Sequence, residues 1–276
     1  MTPAFRHVAL IGKSPSSEVA GSLEALAAFV AGKGCTVLAE SESSQADLAI
    51  VIGGDGTMLG AVRQLVRYRV PVVGVNQGRL GFMTDIALRD MRKSIGAILG
   101  GRYTTEERTL IDAEIVRGGA TLLTTLALND AVVNKGAEGR LIEFEVHIDG
   151  EFVYTLRSDG VIVATPTGST AYALSAQGPI LHPSLPAFTL VPLNPHTLTA
   201  RPVSISDRCT IEIVVRHAGD ARAHFDGQAL ADLVAGDRLR LKRSSEPARF
   251  IHPPGYSYFV MLREKLRWSE AVEREA

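Results

Sequence analysis

The chain has 276 residues, a formal net charge of −1, and 46% hydrophobic against 21% charged residues. That is the balance of a globular protein long enough for one large or two modest domains. The charge supplies no basic field, so neither nucleic acid nor an anionic membrane surface is an expected partner. Cys35 and Cys209 are the only cysteines, which points to a reducing compartment and not to a disulfide framework. With no signal-like N-terminus and no apolar run of ~18 residues, a cytoplasmic location is expected.

The first hundred residues alternate strand and helix signals. "HVALIG" (His7–Gly12) is a short apolar run closed by glycine, and Val19, Leu23, Leu26 and Val30 then recur at helical spacing before Gly32 and Gly34. "CTVLAE" and "LAIVIGG" read as the next strands. "TMLGAVRQLVRYR" reads as a helix with Leu59, Val62 and Val66 on one face. "VPVVGV" (Val70–Val75) is a fourth strand, "NQGRLGF" a glycine-rich loop, and Leu88–Gly101 a further helix. This alternation predicts a parallel sheet covered on both faces.

From about Thr105 the pattern changes to strand-like runs separated by turns: "TLIDAEIV", "TLLTTLALND", "IEFEVHI", "EFVYTL" and "GVIVAT". A proline-rich segment from Pro179 to Pro202 follows, then "CTIEIVV", "ARAHFDGQ" and "RLRLKR". Near the end, Phe259, Leu262 and Leu266 stand at helical spacing. The expected fold class is an α/β N-terminal domain with a parallel sheet plus a mostly β C-terminal domain. The expected boundaries are 1–104, completed by the 255–276 tail, and 105–254.

Asp-Gly occurs at Asp55, Asp149, Asp159 and Asp226. Its ordinary meaning is a hairpin turn, which suits Asp149 between two apolar runs. Asp55 differs, because a strand precedes it and a helical pattern follows. A strand–glycine turn–helix places open backbone N–H groups at the carboxyl edge of a sheet, where α/β folds bind ligands. Gly53, Gly54 and Gly56 read as close-approach positions and Thr57 as the helix N-cap. The turn has neither Walker nor dinucleotide-fingerprint spacing. Lys13 and Arg79, in loops on the same sheet edge, are candidates to face a polyphosphate.

A second informative stretch runs from Arg157 to Ile180, "RSDGVIVATPTGSTAYALSAQGPI". Thr165, Thr167, Ser169 and Thr170 surround Gly168 and suit an exposed loop that hydrogen-bonds a sugar or base edge. Arg157 and Asp159, two residues apart, are expected on one strand face. Asn129 and Asp130 close an apolar run with two polar groups.

"GGDGT", "LND", "DGVIVATPTGSTAYALSAQGPI", "PHTLTARPV" and "FDGQ", in this order and spacing, with "IHPPGYSYF" near the end, resemble bacterial NAD kinases across almost the whole chain. "GGDG" alone is shared with diacylglycerol, sphingosine and 6-phosphofructo-kinases, whereas "TPTGSTAY" is far more specific. The resemblance implies phosphoryl transfer from ATP to the 2′-hydroxyl of the adenosine ribose of NAD, with Mg²⁺ or another divalent cation; it names no metal ligands. It makes Asp55 the proton acceptor, with Gly56 beside it in the dinucleotide site. Asn129 and Asp130 match a ribose-holding pair, in which many members carry glutamate in place of Asp130. Arg157 and Asp159 match contacts around the dinucleotide. Thr167, Thr170, Ala171, Tyr172, Ala173, Leu174 and Ser175 match the loop lining it, and Gln228 a further polar contact. Arg140 and Asn194 fall near positions that vary in the family. A homodimer or homotetramer assembled partly through the β domain is implied. A lipid kinase on the same turn would need a greasy acceptor pocket or an amphipathic membrane face, for which the sequence shows no signature. A non-catalytic dinucleotide sensor is the reading from another class, and Asp55 speaks against it.

Overall fold

The computed structural model describes residues 3–12, 17–78, 81–137 and 139–268. It divides into two compact units, Met1–Glu106 with Ala248–Ala276, and Glu107–Pro247. Lys13 and Arg79 lie outside the described residues.

The first unit opens with strand β1 (His7–Gly12), helix α1 (Ser17–Gly32) and β2 (Thr36–Leu38), followed by β3 (Leu48–Ile52) and helix α2 (Asp55–Leu65). Next come β4 (Val72–Asn76), the two-residue β5 (Ile86–Ala87), helix α3 (Met91–Leu99) and β6 (Thr104–Arg108). β1 pairs in parallel with β2 and β3, and β4 in parallel with β3 and β5. Every residue of β3 and β4 is buried, as expected for central parallel strands with both faces covered. α2 begins at Asp55 with Gly54 as its N-cap, so Thr57 lies inside the first turn and is not the cap. An aspartate in the first turn suits the positive end of the helix dipole, and the buried residues of α2 are Met58, Ala61, Val62 and Leu65. Leu59, expected on that face, is only half-buried.

The second unit is antiparallel. β7 (Ile111–Arg117), β8 (Ala120–Ala127), β9 (Asp130–Asn134), β10 (Ile142–Ile148), β11 (Glu151–Ser158) and β12 (Gly160–Ala164) lead into the short helix α4 (Tyr172–Ser175). β13 (Ala187–Leu193), β14 (Val203–Ser206), β15 (Ile211–His217), β16 (Arg222–Phe225), β17 (Gln228–Asp232) and β18 (Arg238–Arg243) complete it. One sheet runs β11-β10-β15-β18-β7-β8 and the other β14-β13-β12-β9-β16-β17. Alternate residues of both, such as Phe144, Ile213 and Leu239 against Val163, Phe188 and Phe225, form one shared core. The second sheet also buries its other face, where Val132, Ile162, Ala164 and Val191 pack with Ala173 of α4.

β13 and β14 lie in or beside the proline-rich segment, which the sequence did not mark as strand. Pro192 is tolerated because β14 pairs with β13 only between Ala187 and Leu190, so the missing N–H at 192 breaks no bond to β14. Asp149 and Gly150 turn the β10–β11 hairpin with φ of 51° and 83°, the conformation that favours this dipeptide.

The chain returns to the first unit as β19 (Ala248–His252), between β4 and β6 and parallel to β4, and ends in helix α5 (Tyr258–Leu266). The returning piece thus begins at Ala248 and contributes a strand as well as a helix. Ser257 caps α5 by accepting the Val260 N–H. Its buried residues are Tyr258, Met261 and Leu262, whereas Phe259, expected in the stripe, is 62% exposed.

Gly74 in β4 sets how closely α2 and the loop after β4 approach the sheet. A Cβ there would meet Met58 Cε at 2.6 Å, the Met83 carbonyl at 2.7 Å and Thr84 Cα at 2.8 Å. Gly74→Ala is therefore expected to destabilise the fold by about 1–3 kcal/mol through overpacking. Urea denaturation checks this, and unchanged stability would show that the loop yields without strain.

Candidate functional site

In the first unit the site is built on the head of α2. Thr57 and Met58 are the first to donate backward, both to the Gly54 carbonyl, leaving the amides of Gly54, Asp55 and Gly56 as the open donors of a helix N-terminus. A side chain at 53 would meet Thr57 Oγ1 at 2.6 Å, so that glycine serves the fold. Gly54 and Gly56 are different: among the described residues, no atom beyond their chain neighbours and the local helix backbone lies within 4 Å of where their Cβ would be.

The Asp55 carboxylate does not stand free. Oδ2 accepts the Phe82 N–H at 3.0 Å and Oδ1 the Met83 N–H at 3.1 Å. Gly81 lies so close beneath this carboxylate that a Cβ would overlap Oδ1. The same loop is held from β4, where Asn76 Nδ2 donates to Thr84 Oγ1 at 2.8 Å and Asn76 Oδ1 accepts the Gly78 N–H at 2.7 Å. "NQGRLGF", read as a plain glycine-rich loop, is thus the partner of the Asp-Gly turn.

In the second unit another Asp-Gly aspartate does similar work. Asp226 and Gly227 turn the β16–β17 hairpin with φ of 51° and 76°. The Asp226 carboxylate accepts the N–H groups of Leu128 at 3.0 Å, Asn129 at 2.7 Å and Asp130 at 3.4 Å. Thr165 grips the same tripeptide from the other side: its N–H donates to the Asn129 carbonyl at 2.9 Å and its Oγ1 to the Leu128 carbonyl at 2.5 Å. Gly168 packs onto the Asn129 carbonyl so tightly that any Cβ would overlap it.

The hydroxyls of this loop are spent internally, which corrects the expectation of an exposed hydroxyl surface. Thr165, Thr167 and Ser169 are buried. Ser169 Oγ donates to the Pro166 carbonyl and accepts the Leu181 N–H, while Thr170 Oγ1 donates to the Thr167 carbonyl. Ala173 is a core residue beneath α4, so its side chain is closed to any ligand. What the loop presents is Tyr172, 45% exposed, with Ser175 also exposed and Ala171 and Leu174 half-buried.

Tyr172 stands between two cavities of about 300 Å³ each. One is lined by Asn129, Asp130, Asn134, Ala171 and His224 among others, and the second by Ser175, Gln177, Pro192 and Asn194. Burial, and then the neighbouring Asp226 charge, push the Asp130 carboxyl up to about 7. Burial, with Arg222 nearby, lowers the His224 imidazole below its ordinary value.

Arg157 and Asp159 do not share a strand face. β11 ends at Ser158 and β12 begins at Gly160 in the other sheet, so Asp159 sits where the chain changes sheets. Asp159 bonds Lys135 Nζ at 2.7 Å and Asn194 Nδ2 at 2.9 Å, and this ion pair holds its carboxyl below the usual range. The Arg157 side chain is exposed and has no ion pair among the described residues. Arg140 is exposed, as is Gln228 at the start of β17. Asp226, His224, Asn134 and Lys135 were not singled out as site residues from sequence. Only Asp226 carried a signal, as the aspartate of "FDGQ"; the others reach the site through sheet pairing.

The chain matches known proteins in the same two parts. The ATP-NAD kinase N-terminal domain matches residues 17–103, and the ATP-NAD kinase C-terminal domain residues 128–253. An NAD kinase from Aromatoleum aromaticum is 55% identical, with 99% of this chain and 98% of that protein covered. One from an Azoarcus species is 54% identical, covering 99% of each. Among solved structures, a yeast NADH kinase complexed with NADH superposes with a TM-score of 0.85 at 24% identity, over 98% of this chain and 90% of that one, a likeness of fold. An NAD kinase from Archaeoglobus fulgidus in complex with ATP gives 0.79 at 26% identity, covering 95% and 98%. Matched in order by both domains, and more than half identical to relatives of its own length, the chain belongs to the ATP-NAD kinase family.

Proposed function

We propose that the protein transfers the γ-phosphoryl group of ATP to the 2′-hydroxyl of the adenosine ribose of NAD, giving NADP. The observation that carries this reading is Asp55, a carboxylate fixed at the head of a helix between two glycines whose Cβ positions are open among the described residues. Gly54 and Gly56, with the open amides of α2, suit the close approach of phosphate oxygens. Each Asp55 oxygen accepts one N–H and keeps a further lone pair. That leaves the carboxylate able to orient the hydroxyl and accept its proton, a contribution of roughly 10²–10⁴-fold. The remainder of the acceleration falls to positioning and charge stabilisation.

In the β unit, Asn129 and Asp130 are assigned to a ribose. The Tyr172 ring, with a cavity on either side, is assigned to pack against the dinucleotide between its two ends. Ser175, Asn194 and Asp159 serve the second cavity, and Arg140, Arg157 and Gln228 are outlying polar contacts. Thr167, Thr170 and Ala173 shape the loop from within. Among the described residues no group of three or more His, Cys, Asp or Glu side chains converges as a metal cage. Mg²⁺ or another divalent cation is assigned to the donor's phosphates, whose charge it would neutralise. Among the described residues, no helix is long and apolar enough to cross a membrane. A cytoplasmic homodimer or homotetramer, built partly through the β unit, is the assembly proposed.

Asp55→Asn is expected to lower ATP-dependent NADP formation by at least about 10²-fold with little change in NAD binding. Near-normal turnover by the purified variant would refute the role of Asp55. Tyr172→Ala is expected to raise the KM for NAD severalfold more than the KM for ATP, whereas equal rises would indicate a general folding defect.

Asp130 gives a pH signature. Its folded value of about 7 lies above the unfolded one, so the unliganded native state binds the extra proton and loses stability as pH rises from about 4 to about 7. The slope is about 1.4 kcal/mol per pH unit. Asp130→Asn removes this component, so the variant should gain on the wild type between pH 5 and pH 8 in urea titrations. A constant difference across that range would show that Asp130 titrates normally.

A further inference from the structure

"IHPPGYSYF" carries the resemblance to the family, yet the site described above uses none of its residues. His252, the last residue of β19, is buried, and its ring stacks on Tyr256 with centroids 3.7 Å apart and planes 6° from parallel. Nδ1 lies 2.8 Å from Asp85 Oδ2, and Nε2 lies 3.0 Å from Glu106 Oε2. Each ring nitrogen therefore has its own carboxylate partner. His252 thereby ties β6, β19 and the end of the loop after β4 into one cluster.

That loop also holds Asp55. Phe82 and Met83 donate to the Asp55 carboxylate, Thr84 is fixed by Asn76, and Asp85 is fixed by His252. The segment is thus secured at both ends by side chains from other elements, with Gly81 packed beneath the carboxylate. We propose that His252 is a positioning residue, which through Asp85 keeps the Phe82 and Met83 amides aimed at Asp55. The inference rests on the reading of Asp55 as the acting carboxylate. Histidine suits the task because the rigid ring spans two carboxylates that a single-ended donor cannot reach together.

The two ring bonds can be separated by substitution. His252→Asn keeps a donor near the position of Nδ1 and so the Asp85 bond, while His252→Gln keeps one near Nε2 and so the Glu106 bond. Asp85→Ala removes the first bond from its other end and serves should the glutamine variant fail to fold. Amide exchange at Phe82 and Met83 is expected to quicken about tenfold or more in His252→Gln and Asp85→Ala but not in His252→Asn. In the same two variants kcat for NADP formation should fall about tenfold, with the KM for NAD nearly unchanged. Exchange that is unaltered, or equally quickened in His252→Asn, would overturn the proposal, as would faster exchange with undiminished kcat. A wild type that forms no NADP would refute the proposed function instead, and exchange at Phe82 and Met83 would still decide whether His252 holds the segment.

Discussion

The structure depends on carboxylates that collect backbone N–H groups from elsewhere in the chain. Asp55 takes those of Phe82 and Met83, and Asp226 those of Leu128, Asn129 and Asp130. A loop cannot satisfy its amides through a sheet ladder, and a partly buried amide without an acceptor is costly. An ionised acceptor resolves this with charge-assisted bonds and fixes the loop at the same time. In each unit the Asp-Gly dipeptide leaves its carboxylate beside backbone that it can organise.

The close-packed glycines follow from those clamps. Gly81 lies under the Asp55 carboxylate and Gly168 against the Asn129 carbonyl, positions where no side chain fits. Gly54 and Gly56 have no such neighbour. One motif therefore contains glycines in different surroundings: Gly53 is packed against Thr57, while the Cβ positions of Gly54 and Gly56 are open among the described residues.

Much of this was legible in the sequence, at the level of element type and order. The change from helix-and-strand alternation to hairpins near Thr105 marked both fold classes, and Asp149-Gly150 marked its turn. What was misread depended on register or partners. An apolar count placed Phe259 in the α5 stripe, although only Tyr258, Met261 and Leu262 are buried along the helix. Thr57 looked like a cap because the helix was started two residues late. Hydroxyls in "TPTGST" suggested a wet surface, but local sequence does not show which carbonyls will arrive to accept them. Arg157 and Asp159 are separated by a change of sheet, which period-two reasoning assumes away. His252 stood in a recognised motif, but its contacts were hidden, since Asp85 and Glu106 reach it only through tertiary pairing.

The clamp on this tripeptide also bears on Asp130. Thr165 and Asp226 hold the Leu128–Asp130 backbone, and the Asp226 carboxylate is thereby kept close to that of Asp130. Its carboxyl stays buried near a second carboxylate, and its affinity for a proton rises accordingly. The strain of a buried acid is tolerable because the same clamps that create it are spread over several backbone bonds. The clamped backbone and the raised proton affinity of Asp130 thus arise together, because the aspartate that holds the backbone is also the charge beside Asp130.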